Sequence, residues 1–238
     1  MKLKVGFSVH FQKAKFPSKK KLIGKYCYLA PVNIKKHTKD LFKNFSRDKK
    51  DVDWLYMPQG PFKNEISLKK YLKNKNLTGN PFFYTIYSKR LKTFCGLASY
   101  LRIKPQVGTI EVGYIVYAKN LQRTVEGTEA MYLMMKWVFE NGYRRYEWKC
   151  NALNAKSRNA AQRLGFSFEG VFRQMMISKG RNRDTAWFAI IDKEWEDFKR
   201  CFEAYLSKDN FSKVGVQLVS LSSLTKPLLY KLDSMELS

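Results

Sequence analysis

Residues 110–130 read IEVGYIVYAKNLQRTVEGTEA, and residues 150–166 read CNALNAKSRNAAQRLGF. The first stretch opens as a strand, Thr109–Tyr117, rich in β-branched and aromatic residues. It passes through a short loop into a helix predicted over Gly127–Asn141. There Ala130, Met131, Met134, Trp137 and Val138 fall at helical spacing, and Gly142 is a stop. The first turn of a helix has four N–H groups without intrahelical partners, and its dipole favours negative charge. A pyrophosphate fits such a place, and glycine at 127 would let it come close. An ordinary strand–helix connection fits the same residues. In the second stretch Asn154 caps a short helix that ends at Leu164–Gly165. Ser157, Ala160, Ala161 and Leu164 share one face of it. Taken singly, Asn154 and Ser157 read as a helix cap and a first-turn serine.

Upstream, a weak strand pattern covers Lys4–Phe11, and Lys25–Ala30 reads as a strand. Ile34–Phe45 is an amphipathic helix, 54–62 an aromatic loop with two prolines and a glycine, and Ile66–Leu72 a second helix. Phe82–Tyr87 and Phe94–Ile103 are strands that precede Thr109–Tyr117. Downstream come a strand Tyr146–Cys150, a hairpin of Phe166–Ile177 and Thr185–Ile191 turning at Gly180–Asp184, and a helix Lys193–Leu206. Residues 207–238 carry no assignable pattern. Three consecutive strands before the main helix exclude a Rossmann repeat and indicate an α+β fold. The chain divides into a basic N-terminal arm (1–24), a catalytic domain (25–206) and a C-terminal extension (207–238).

At 238 residues and 45% hydrophobic content the chain supports one sizeable core. No apolar stretch approaches the ~18 residues of a membrane span, and the N-terminus lacks a signal-peptide block. A cytoplasmic protein without membrane contact is expected. Cys27, Cys95, Cys150 and Cys201 are scattered and the histidines number two, so no metal and no disulfide framework are expected. The net charge is +25, and residues 1–50 hold 15 Lys/Arg against 2 Asp/Glu. This fits a footprint for RNA or the ribosome. It fits equally a lysine-rich compositional habit, since lysines outnumber arginines 33 to 12.

The run Glu111-Val112-Gly113-Tyr114, Gln122-x-x-x-x-Gly127-Thr128-Glu129-Ala130, Asn154-x-x-Ser157 and Leu164-Gly165-Phe166 resembles the GNAT acetyltransferases. Within them it most resembles the RimJ/RimL-like branch of ribosomal-protein N-terminal acetyltransferases, over about Lys25 to Leu206. Residues 170–174 (GVFRQ) and 180–187 (GRNRDTAW) resemble an uncharacterised subgroup of that branch. The resemblance implies the acyl-CoA N-acyltransferase fold, a mixed central sheet with splayed strands flanked by helices. It also implies acetyl-CoA as co-substrate, a direct attack by the amine in a ternary complex, and a protein N-terminal α-amino group as the first acceptor to consider. Backbone groups of Ile115, Val116 and Tyr117 would pair with the pantetheine arm, and Asn154 would bond it. The loop Gln122, Arg123, Thr124, Val125, Glu126, Gly127 and Thr128 would hold the pyrophosphate. Val125 stands where the family has its inner glycine.

The amine is itself the nucleophile, so Cys150 reads as a packing residue. Glu111 stands where the family often places a general base, and it equally reads as an outward strand charge. Ser157 stands where some relatives protonate the leaving thiolate. Trp54, Tyr56 and Phe62 are candidate acceptor walls, or core of their own loop. Two other functions remain open. One is acetylation of a small amine such as a polyamine or aminoglycoside, against which the few acids near the loop (Asp51, Asp53, Glu65) lean. The other is RNA or ribosome binding by an inactive acetyltransferase fold.

Overall fold

The computed structural model describes residues 5–48, 52–75 and 78–233. Lys4 and Asp51 therefore lie outside the described residues. Eight strands form one sheet in the order β1-β2-β3-β4-β5-β6-β8-β7. They are β1 (Leu22–Ile23), β2 (Cys27–Pro31), β3 (Phe82–Ser88), β4 (Thr93–Lys104), β5 (Thr109–Tyr117), β6 (Arg145–Asn151), β7 (Ser167–Ser178) and β8 (Arg181–Ile191). Every neighbouring pair is antiparallel except β5 and β6. The helices are α1 (Ile34–Phe45), α2 (Glu65–Lys75), α3 (Val125–Glu140), α4 (Ala155–Arg163), α5 (Trp195–Leu206) and α6 (Leu221–Thr225).

Strand alternation sorts the helices onto two faces. Toward α1 and α2 point Phe94, stacked on His37 at 4.1 Å, and Phe83, edge-on to Tyr71 at 6.4 Å. Toward α3 and α4 point Tyr100, 5.2 Å from Trp137, and Trp148, whose indole N–H bonds Ser157. Helix α5 closes over α3, with Tyr132 stacked on Phe202 and Phe139 on Trp195.

One buried carboxylate ties α3 to the sheet edge. Glu129 accepts the backbone N–H groups of Lys25 (2.6 Å), Tyr26 (2.7 Å) and Cys27 (2.7 Å). Gly24 is required there, because a Cβ on it would lie 2.4 Å from the Glu129 carboxyl carbon. This capture explains why the strand expected from Lys25 begins only at Cys27. The expected strand at the N-terminus does not form over residues 5–11. The following segment packs instead: Ala14 is buried, and its N–H bonds Pro105 O at 3.1 Å.

The hairpin turns earlier than expected, at Lys179–Gly180, because both residues adopt positive φ (50° and 73°). Helix α5 starts two residues late, after a 3-10 turn at Asp192–Glu194. The C-terminal residues, unassigned from sequence, form α6 and then cross α4. Asp233 makes a buried ion pair with Arg158, and Thr225 Oγ1 donates to Arg163 O at 3.0 Å.

Candidate active site

The site begins where β5 and β6 part. They pair in parallel only from Thr109↔Arg145 to Val112↔Trp148, although β5 runs to Tyr117 and β6 to Asn151. A bulge starts the divergence. The β4–β5 register shifts between Leu97↔Val116 and Ser99↔Gly113, with Tyr114 at φ 49°. Beyond Val112, β5 has no pairing with β6 among the described residues; Val116 turns its backbone to Leu97 of β4, while Ile115 and Tyr117 face the gap, with Tyr117 O held by Gln122 Nε2. Two splayed parallel strands thus leave a slot into which an extended chain can add hydrogen bonds.

At the end of β5 lies an anion cradle. Helix α3 begins at Val125, two residues before the expected start, because Thr124 is its N-cap: Thr124 Oγ1 accepts Gly127 N–H at 3.1 Å. Arg123 takes φ 57°, which turns the chain into the helix. Among the described residues, the backbone N–H groups of Arg123, Thr124, Val125 and Glu126 have no intramolecular partner. Four successive free N–H groups at a positive helix end suit a phosphate.

Val125 packs its side chain against the core, so it does not obstruct this cradle. Gly127 also has a packing role. A Cβ on it would meet Leu121 O at 2.8 Å and the Tyr117 ring at 3.0 Å, so glycine permits the helix to close on β5. Thr128 is buried beside it, with Oγ1 donating to Thr124 O at 3.2 Å. The loop is stapled from α1's side: Gln122 Nε2 donates to Asp53 Oδ2 (2.9 Å) and Tyr117 O (2.9 Å), while Lys119 pairs with Asp48 and Asp53. Glu126 turns away from the cradle to Arg90 and Ser88.

Across the slot, Asn154 Oδ1 caps α4 by accepting Ser157 N–H at 3.1 Å. Its amide nitrogen has no partner among the described residues. Ser157 Oγ accepts the Trp148 indole N–H at 3.1 Å, and its own hydrogen is turned to the Cys150 sulfur. Burial pushes the Cys150 thiol up to about 11, more than its hydrogen bond with Ser157 lowers it. It stays a thiol at neutral pH, as a packing cysteine should.

On the α1–α2 face, Glu111 is buried against a cationic partner. Its Oε2 lies 3.0 Å from Lys149 Nζ and 3.7 Å from Arg102 Nε. Burial raises its pKa, and the attraction of Lys149 and Arg102 only partly offsets that. Lys149 is also 2.7 Å from Glu147 and 3.7 Å over the Trp187 ring. Burial pushes Glu147 upward too, but its bonds with Arg145 and Lys149 outweigh it and hold the carboxyl below its usual range. Sequence reasoning missed Lys149, Glu147 and Trp187. The signal available was an alternation of charged residues on a strand that is paired on both sides.

The loop carrying Trp54, Tyr56 and Phe62 reaches across this face. Trp54 is buried, edge-on to Phe45 (5.6 Å) and Phe62 (5.3 Å), with Gly60 pressed against its ring, so it is core of the loop. Phe62 packs on Tyr71 at 5.1 Å. Tyr56 reaches furthest, its hydroxyl donating to Leu153 O at 3.1 Å beside Asn154. Lys179 at the hairpin turn donates to Trp54 O at 2.9 Å and closes the far end.

Three side-chain atoms of β8 are shielded from solvent without a hydrogen-bond partner among the described residues: Arg183 Nε, Thr185 Oγ1 and Trp187 Nε1. Each such atom costs about 1–3 kcal/mol if it stays unpaired. Among the described residues no group of three or more His, Cys, Asp or Glu could hold a metal, and no helix is long and apolar enough to cross a membrane.

Splayed parallel strands that run into a helix end with free N–H groups suit an extended ligand bearing a phosphate. The sequence profile described as "Acetyltransferase (GNAT) domain" matches residues 28–167, and the chain belongs to that family. A GCN5-related N-acetyltransferase from Brucella melitensis superposes with a TM-score of 0.88 at 36% identity, covering 91% of this chain and 99% of that one. A GNAT-family protein from Chromobacterium violaceum gives 0.76 at 34% identity, with 82% and 98% coverage. A Bacillus subtilis protein named "Putative ribosomal N-acetyltransferase YdaF" is 28% identical over 108 residues. The match covers 45% of this chain and 58% of that relative's length. Membership in this family implies acetyl-CoA as the co-substrate.

Proposed function

We propose that the protein transfers the acetyl group of acetyl-CoA to the N-terminal α-amino group of a peptide or protein. The observation that carries this reading is the run of four free N–H groups at 123–126, placed where the open edge of β5 ends. The pyrophosphate would take those groups, the pantetheine arm the gap-facing groups of Ile115 and the Tyr117 N–H, and the Asn154 amide the same arm. Acetyl-CoA supplies the thioester that the amine attacks. Glu111, on the opposite face of the sheet from Ser157, receives the amine proton through water. Ser157 donates its hydroxyl hydrogen toward the departing sulfur.

A polycationic small acceptor fits the site less well. Its carboxylates Glu111, Glu147 and Glu169 are already matched by Lys149, Arg145 and Arg102, so no surplus negative charge awaits a polyamine. The cradle is tested by Val125→Pro. Val125 is the first helical residue, where proline is tolerated, and Thr124 before it is already extended (φ −107°, ψ 162°). The variant loses one N–H of the cradle and keeps the helix. Calorimetry should show acetyl-CoA affinity reduced about tenfold or more, the worth of one hydrogen bond to a charged group. Unchanged affinity would remove the cradle from the site.

The exposed lysines of the arm, Lys13, Lys15, Lys19, Lys20 and Lys21, make no ion pair among the described residues, and they suit a contact with ribosomal RNA. Deleting residues 1–10 leaves the packed segment at Ala14 in place and serves as a control, whereas Lys19, Lys20 and Lys21 changed together to Gln should reduce RNA retention and its salt dependence. Retention insensitive to both salt and these changes would return the charge to composition.

A further inference from the structure

Arg183, Thr185 and Trp187 are alternate residues of β8, so they share a face. The register places Thr185 beside Asn151 and Trp187 beside Lys149, on the side of the sheet that carries Glu111. Thr185 is 4% exposed, yet its hydroxyl has no partner among the described residues, and Arg183 Nε and Trp187 Nε1, shielded atoms of half-buried side chains, have none there either. Folded proteins satisfy nearly all of their buried polar atoms, and a specific failure asks for an explanation. Three failures in a row along one strand mark a place where a ligand completes the set.

The chemistry of the row defines that ligand. Two of the three atoms are N–H donors and the third is a hydroxyl, so the ligand must present oxygen acceptors. Alternate residues of a strand are ~6.6–6.8 Å apart, which is also the repeat of same-side carbonyls in an extended peptide. The row leads toward the chemistry. Trp187 lies under Lys149, which holds Glu111, and Phe172 stacks on the same indole at 4.6 Å.

We propose that Arg183, Thr185 and Trp187 form a subsite that takes the main-chain carbonyl oxygens of an extended peptide acceptor, its amino end at Trp187 toward Glu111. This rests on the reading above that the acceptor is a peptide amine approaching the Glu111 face. A polyamine has no oxygen to offer such a row.

Two conservative variants test it. Thr185→Val keeps the shape and removes the hydroxyl, and Trp187→Phe keeps a ring under Lys149 and removes the N–H. The probes are randomised hexapeptides, the amino-acid amide of the same first residue, and spermidine. Acetyl-CoA affinity of each variant confirms that it is folded. The readout is the kcat/KM ratio of hexapeptide to amide, and each variant should lower it about tenfold, mainly through the KM of the hexapeptide. Hexapeptides acetylated with the wild-type ratio by both variants would overturn the subsite and leave the peptide reading standing. Turnover of spermidine without any hexapeptide would overturn the peptide reading, and the subsite with it.

Discussion

Replacing Ser157 by alanine should separate chemistry from packing. The hydroxyl accepts the Trp148 indole N–H at 3.1 Å and gives its own hydrogen to Cys150, from which it would turn to the leaving thiolate. Trp148 is 6% exposed, so removing the acceptor leaves a buried donor unpaired, at about 1–3 kcal/mol. For a chain of this size that corresponds to a Tm lower by roughly 2–10 °C. Loss of a general acid typically costs ~10²–10⁴ in rate, about 3–5 kcal/mol of barrier. A domain with about 5–15 kcal/mol of stability stays folded at 25 °C after the first loss, so unfolding cannot mimic the second. The assay is kcat at saturating acetyl-CoA and acceptor, beside calorimetric acetyl-CoA affinity and thermal melting. The expected result is a kcat at least a hundredfold lower, unchanged affinity and a modest fall in Tm. A variant with the lowered Tm and the wild-type kcat would assign the hydroxyl to Trp148 alone and refute the proton-donor role.

Glu111→Gln should impair turnover more at neutral than at high pH, where free amine is abundant, and a pH–rate profile parallel to wild type would exclude Glu111 as the base. Because burial raises its folded-state pKa above the unfolded one, ionising Glu111 costs folding free energy as pH rises through that pKa. The Gln variant should lack that loss in denaturation measured across the same range. Glu129→Gln exchanges three charge-assisted bonds for two neutral ones and sets an amide NH₂ against a backbone N–H. Urea denaturation should show a loss of about 3–4 kcal/mol, and a loss below about 1 kcal/mol would mean the carboxylate does not anchor the β1–β2 turn.

Much of this architecture was legible in the chain because it rests on local pattern. Strand β5 and helix α1 fall on the residues that alternation and helical spacing assign to them, and Asn154 caps α4 as its position before a small-residue helix suggests. The start of α3 was not legible, since Gly127 imitates a helix boundary while Thr124, three residues earlier, supplies the cap. Trp54 in a loop of prolines and glycine reads as wall or core with equal ease, and only its neighbours Phe45 and Phe62 decide. The remaining features depend on partners far apart in sequence. Glu129 meets residues about a hundred positions away, and Lys149 meets Glu111 across two strands. Neither leaves a periodic trace.

Strand β7 lies at the margin of the sheet, where a row of unpaired backbone groups can recruit a strand from another molecule. Two features blunt it. The C-terminal segment covers its first residues, with Phe168 N–H bonding Lys231 O at 2.9 Å and Tyr230 N–H bonding Ser167 Oγ at 2.9 Å. Further on, Gln174 at φ 51° breaks the register and gives its N–H to Asp184. On either side of Gln174 stand exposed Phe172, Met175, Met176 and Ile177, the makings of a sticky edge. Colloidal behaviour thus depends on the tail: a chain cut before Tyr230 bares a longer template for edge-to-edge association and also strips Asp233 from the buried Arg158 of α4, so its solubility and the α4 side of the site should fail together.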